Sequence, residues 1–185
     1  MIPLSLTAGQ LGDLTGSAAP ASLEEQVSRF YEETREDVYR YLLTLGLYPP
    51  EAQEAAQEVF LRYYATVKKG GEPIQSPRGW VFRVAHNYGL KVRARQQHTA
   101  PFDPDLEARI KSSDPGPEQS LADRNRAQRL HRAIESLSEQ QRRCLFLRME
   151  GLRYPEIGAA LGIGASTVGE FLRRAISRLK KEHHE

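Results

Sequence analysis

The chain has 185 residues, a net charge of only +2 and a single cysteine, Cys144. That length suits one domain or two small ones, and the near-balanced charge excludes a globally basic nucleic-acid coat. One cysteine excludes an intrachain disulfide and argues against a cysteine-based zinc site; it fits a reducing, cytoplasmic setting, and no apolar run approaches the ~20 residues of a membrane span.

Residues 1–21 lack the basic start and continuous apolar core of a secretion signal and read as a flexible tail. From there the periodicity is helical almost throughout. Leu23–Leu45 carries Val27, Phe30, Tyr31, Val38, Tyr41, Leu42 and Leu45 at three-to-four spacing and ends at Gly46. After Pro49-Pro50, a second helix runs over Glu51–Val67, with Ala52, Ala55, Ala56, Val59, Phe60 and Tyr63 repeating. A Lys-Gly-Pro loop follows, and Ser76 with Pro77 opens a third helix through Trp80, Val84 and Tyr88 to about Gln97. Arg78, Arg83, Lys91, Arg93 and Arg95 fall along that helix with no acidic residue among them.

Residues 98–121 show no sustained period and hold Pro101, Pro104, Pro115 and Pro117, so they read as a linker with one short helix at Asp105–Ile110. The linker is acidic, which places a non-binding stretch between two basic ones. Helices resume at Ala122–Ser136, and Ser138 with Gln141 makes a capping box for a helix ending at Met149. Residues 151–179, GLRYPEIGAALGIGASTVGEFLRRAISRL, then read as two short helices around a tight turn. Pro155 suits a first turn, Gly162 a left-handed C-terminus, and Thr167 with Glu170 a capping box that starts the second helix near Ser166 or Thr167. Val168, Phe171, Leu172, Ala175, Ile176 and Leu179 form its apolar stripe, with Arg173, Arg174, Arg178, Lys180 and Lys181 mostly off it. A helix-turn-helix of this form suits the major groove of DNA. The fold class is all-α, with helical domains at 22–97 and 122–181 and a short tail at 182–185.

Three of these stretches together resemble the extracytoplasmic-function (group IV) sigma factors of bacterial RNA polymerase. EAQEAAQEVFLRYY (51–64) is similar to the family's region 2.2, PRGWVFRVAHNYGLKVRARQ (77–96) to regions 2.3 and 2.4, and residues 134–181 to region 4. The resemblance implies promoter-specific initiation on core polymerase without an active site of the chain's own. It also implies a polymerase-binding face of Glu51, Glu54, Gln57, Glu58 and Arg62 on the clamp helices of the largest subunit, with the flap of the second largest subunit also contacted. Arg83, His86, Asn87, Lys91, Arg93 and Arg95 would meet the −10 element, whose flipped base needs cations and a receiving surface. Trp80, Val84 and Tyr88 share a helical face that favours core packing over base stacking. Ser166, Thr167, Gly169, Glu170, Arg173 and Arg174 would meet the −35 element, Glu170 either reading a base or capping its helix. The chain departs from the family's habit at Gln53, Ala55 and Ala56, at Lys91, and at the weakly basic Gly169-Glu170-Phe171.

Many relatives are held by an anti-sigma protein, so such a partner belongs to the same expectation, along with a free state that is monomeric and does not insert into membranes. No cofactor or metal is expected: the five histidines have no ligand spacing, and no P-loop, nucleophile elbow or dinucleotide fingerprint occurs. Two other readings compete. One is a stand-alone helix-turn-helix regulator that binds a palindrome without polymerase. The other is a helical adaptor that never touches DNA.

Overall fold

The computed structural model describes residues 22–99 and 129–184, and every regular element among them is a helix. In chain order these are α1 (Leu23–Thr44), α2 (Pro49–Lys69), α3 (Pro77–Thr99), α4 (described over 129–135), α5 (Glu139–Met149), α6 (Tyr154–Leu161) and α7 (Ala165–His184). The N-terminal tail, the helix expected at Asp105–Ile110 and the start expected at Ala122 lie outside the described residues.

Local chemistry sets the helix ends. Ser22 opens α1 with a full capping box: its hydroxyl accepts the Glu25 N–H at 3.1 Å, and the Glu25 carboxylate takes the Ser22 N–H at 2.9 Å. Helix α2 begins at Pro49, two residues before the expected Glu51, because a proline loses nothing where the N–H has no partner anyway. Ser76 caps α3, accepting the Gly79 N–H at 3.2 Å. Ser138 and Gln141 exchange both bonds expected of them, at 3.3 and 3.0 Å.

Helices α1, α2 and α3 enclose Val38, Tyr41, Leu42, Leu45, Leu47, Val59, Val81 and Phe82, all with no exposed surface. Burying a side chain of this kind contributes about 1.5–3 kcal/mol. Small residues let the backbones approach: Ala52, Ala55 and Ala56 line the buried side of α2. At Gly89 of α3 a β-carbon would lie 2.8 Å from Leu42 Cδ2 and 2.9 Å from Leu45 Cδ1. An aromatic group of Phe30, Tyr31, Phe60 and Tyr63 closes the other end, with centroids 5.0–6.1 Å apart.

Helices α5, α6 and α7 bury Leu147, Leu152, Ile157, Val168, Leu172 and Ala175. The stripe on α7 is narrower than its periodicity implies, since Ile176 is 46% exposed. The Arg178 guanidinium donates to the Ser136 carbonyl at 2.7 Å and ties α7 to the end of α4.

The sequence reads as two separate modules, whereas the structure seats one on the other. Helix α6 packs on α3, the rings of Tyr41 and Phe146 stand 5.4 Å apart, and one continuous buried cluster runs through both halves. The reason is the inner face of α3 and α1, where Tyr41, Phe82 and His86 form a surface that α5 covers with Phe146 and Arg143.

Candidate nucleic-acid and polymerase interfaces

Helix α3 distributes its predicted DNA-facing residues over two faces. Arg83, Asn87, Lys91 and Arg95 recur every four residues along one exposed stripe. His86 and Arg93 do not join it. His86 is only 5% exposed, and its Nδ1 lies 3.0 Å from the Tyr41 hydroxyl. Burial, and then the Arg143 guanidinium, push its pKa down to about 4. The ring is therefore neutral at pH 7 and offers phosphate no charge. Arg93 turns toward α5, its guanidinium 3.6 Å from the Glu139 carboxylate. Trp80, Val84 and Tyr88 are half-buried; Trp80 stacks obliquely on Tyr63 at 5.7 Å, and Arg62 lies 4.7 Å above the Tyr88 ring.

The helix-turn-helix is α6, a turn at residues 162–164, and α7. Gly162 adopts φ 69°, which lets the Ile163 N–H reach back to the Gly158 carbonyl at 3.0 Å. The turn folds so tightly over α6 that a β-carbon on Gly158 would stand 2.6 Å from the Ile163 carbonyl oxygen.

Helix α7 starts earlier than its capping signal suggests, at Ala165, with the Val168 N–H bonded to the Gly164 carbonyl at 3.1 Å. Ser166 and Thr167 consequently sit exposed in the first turn. Glu170 does not reach back to Thr167 as the capping box requires. Its carboxylate is held by Arg173 at 2.8–3.1 Å and by Arg174 at 2.7 Å. Those hydrogen bonds, Arg173's first, keep the carboxyl below its usual range. Gly169 is half-buried, and a β-carbon there would touch the Tyr154 ring at 3.4 Å, so its work is close packing between α6 and α7.

A groove of about 500 Å³ runs beside Arg173 and Arg174, lined also by Gln141, Ser177, Arg178 and Lys181. Arg178 and Lys181 stand off the apolar stripe in the sequence but are not among the residues expected at the −35 element. Their spacing from Arg174, four and seven residues, was the available signal.

On α2, Glu54, Gln57 and Arg62 are exposed, while Glu58 is half-buried and accepts from Arg62 at 2.7 Å. Glu51 is half-buried, with one carboxylate oxygen shielded from solvent. Leu61, 63% exposed between Glu58 and Arg62, places an apolar side chain on this face that sequence reasoning missed. Behind this face a groove of about 220 Å³ is lined by Tyr31, Arg35, Gln53 and Gln57, among others. Cys144 is buried and its thiol is pushed up to about 11 by that burial, which leaves it unreactive.

Comparison with known proteins matches residues 30–99 to "Sigma-70 region 2" and residues 127–179 to "Sigma-70, region 4". The chain is 31% identical over 170 residues to the ECF RNA polymerase sigma factor SigE of Mycolicibacterium smegmatis, covering 91% of this chain and 64% of SigE. It is 26% identical to the ECF sigma factor SigK of Mycolicibacterium vanbaalenii, over 85% of this chain and 81% of SigK. The fold is similar to that of the sigma factor RpoE of Bartonella quintana, solved with the anti-sigma factor NepR. The TM-score is 0.62 at 17% identity, over 86% of this chain and 97% of RpoE.

Proposed function

We propose that this chain, which belongs to the sigma-70 family of RNA polymerase sigma factors and within it to the extracytoplasmic-function group, binds core RNA polymerase and directs initiation at a restricted set of promoters. The observation that carries this reading is the ordered pair of regions 2 and 4, each presenting an exposed cationic helix face. In the proposal, Glu54, Gln57, Glu58, Leu61 and Arg62 contact polymerase. Arg83, Asn87, Lys91 and Arg95 meet the −10 element, and Ser166, Thr167, Arg173 and Arg174 the −35 element. RNA synthesis itself stays with the polymerase, in the cytoplasm. An anti-sigma partner belongs to the same reading, supported by the RpoE–NepR complex.

The test is reconstitution with core polymerase, read by sequencing of run-off transcripts. Promoter-dependent transcripts are expected only when both are present; their absence, together with no holoenzyme on a sizing column, refutes the reading. A palindromic duplex bound tightly by the chain alone would point to a stand-alone regulator instead. Replacing Arg83 and Asn87 together by alanine should lower promoter-dependent transcripts about 10- to 100-fold while holoenzyme still forms, as expected for losing ~1–3 kcal/mol of DNA contact.

Glu170→Gln is a sharper probe of α7. Because Glu170 occupies Arg173 and Arg174, its neutralisation releases both cations toward phosphate. Fluorescence anisotropy on non-promoter duplex should show tighter binding. The slope of log K against log salt should steepen by about one to two, the signature of one or two more neutralised phosphates.

A further inference from the structure

We propose that Arg62 of α2 is a promoter-binding residue as well as a member of the polymerase face, and that Tyr88 of α3 is the positioning residue that aims it. Arg62 grips a phosphate of the −10 strand from the α2 side of the α3 stripe. The inference rests on the sigma-factor reading above, in which α3 lies on the −10 element.

The exposed stripe of α3, Arg83, Asn87, Lys91 and Arg95, is built on one helix at four-residue spacing. Four residues advance a helix by about 6 Å, so the stripe is a single file of side chains. Tyr88 lies beside that file: Lys91 and Arg95 follow it by three and seven residues and share its side of α3. The Tyr88 ring is half-buried, and Arg62 sets its guanidinium 4.7 Å from the ring centroid. That distance is well inside the range of a cation–π contact. A cation from a second helix is thereby placed next to Lys91 and Arg95, although the sequence groups it with Glu58 on α2.

An ordinary surface ion pair accounts for only part of this arrangement. Glu58 accepts from Arg62 Nε at 2.7 Å, with the two side chains 37% and 47% exposed. A pair so exposed holds its arginine weakly. It engages one N–H of five, and among the described residues no other acceptor takes the guanidinium. Stacking on Tyr88 occupies the face of the group and leaves the in-plane donors of its two terminal nitrogens free. Such donors on a positioned cation beside a cationic track fit a phosphate, which arginine can take bidentately. Because Glu58 and Leu61 adjoin Arg62 on α2, the polymerase face and the DNA face meet at this residue.

The test uses the full chain with saturating core polymerase and a fork-junction DNA, single-stranded across the −10 element of a promoter mapped by the run-off transcripts. Binding is read by fluorescence anisotropy. Holoenzyme affinity is titrated separately, which keeps a polymerase contact of Arg62 out of the DNA readout. Arg62→Ala should weaken fork binding about ten-fold, as for loss of one charge-assisted contact. The slope of log K against log salt should fall by about one. Arg62→Lys should keep the slope and recover part of the affinity, because an ammonium meets phosphate as a point charge. Tyr88→Phe should bind as wild type. Tyr88→Leu should lose about three-fold with an unchanged slope, since the cation stays but is no longer aimed. Arg29→Ala, the same charge change at an exposed site on α1, should leave binding unaltered.

If saturated Arg62→Ala holoenzyme binds the fork with wild-type affinity and slope, Arg62 serves polymerase alone and the proposal falls. It falls too if Arg29→Ala lowers the slope as much, for the effect is then one of overall charge. Equal losses for Tyr88→Phe and Tyr88→Leu would take the positioning role away from the ring. A wild-type chain that forms no holoenzyme refutes the sigma-factor reading instead. The Arg62 contact is then decided by the free chain at low salt on a fork of arbitrary sequence, since phosphate contacts do not depend on sequence.

Discussion

Gly158→Ala is expected to destabilise the helix-turn-helix and lower transcription that depends on a −35 element. An alanine in a helix interior ordinarily gains about 1 kcal/mol over glycine. Here that gain is outweighed, because the new methyl would stand 2.6 Å from the backbone carbonyl of Ile163. A backbone carbonyl cannot swing aside as a side chain can. The turn at Gly162 and Ile163 must lift, breaking the 3.0 Å bond from Ile163 to Gly158 that closes it. Overpacking of this kind costs ~1–3 kcal/mol, and a rigid neighbour puts it at the upper end, so the net loss is about 2 kcal/mol. Trp80 is the only tryptophan and reports the region 2 half by fluorescence, while thiol labelling of Cys144 reports region 4. Urea titration should show early labelling with little change at Trp80. Gly164→Ala is the control: its methyl would meet only Thr167 Oγ1, at 3.8 Å, and should be silent. Equal melting of the Gly158 variant and wild type would refute the account of the turn.

Acid is expected to loosen the seam between the two halves, through His86. Its pKa of about 4 in the folded protein lies below the usual 6.5. Folding therefore favours the neutral ring, and the stability this supplies is fully present above pH 6.5 and lost as the pH falls toward 4. The displacement corresponds to about 3 kcal/mol. The groups around the ring offer a new proton no relief: Tyr41 presents a phenol kept neutral by burial, and Arg143 already carries positive charge. Carboxylates also titrate near pH 4, so the informative quantity is the difference between wild type and His86→Gln. The glutamine variant should lose about 2 kcal/mol less between pH 7 and 4.5 in urea titrations, most of the full displacement. Parallel pH curves for the two proteins would show that His86 does not carry the effect.

The helix boundaries were legible because their signals are local. Ser76-Pro77, Ser138 with Gln141, Pro155 and Gly162 each act within a few residues, and each sits where its chemistry requires. What was not legible depends on partners distant in sequence. Helix α3 is packed by α1, α2 and α6 on three sides, so its periodicity is smeared, and nothing in the string HNYGLKVR says that His86 turns inward while Asn87 turns out. Arg78 read as one more cation of a basic run, because Glu150, 72 residues later, is what gives it a second role. Glu170 had two sets of partners within reach on its own helix, and two guanidiniums outbid one backbone N–H. Leu61 stayed invisible because a lone leucine in a mixed helix is ordinarily unremarkable.

The carboxylate on α7 also bears on how the protein finds its promoters. A genome offers millions of wrong sites for each right one, so the time spent on random sequence sets the length of the search. Most of that time is bought by charge, because phosphate contacts are blind to sequence. As proposed for α7, a reading helix whose two leading arginines already grip a glutamate would hold random duplex weakly and leave it soon. Under the proposed reading, it would give up that grip only where a base edge repays the exchange. Short stays at the wrong address are then written into one turn of helix.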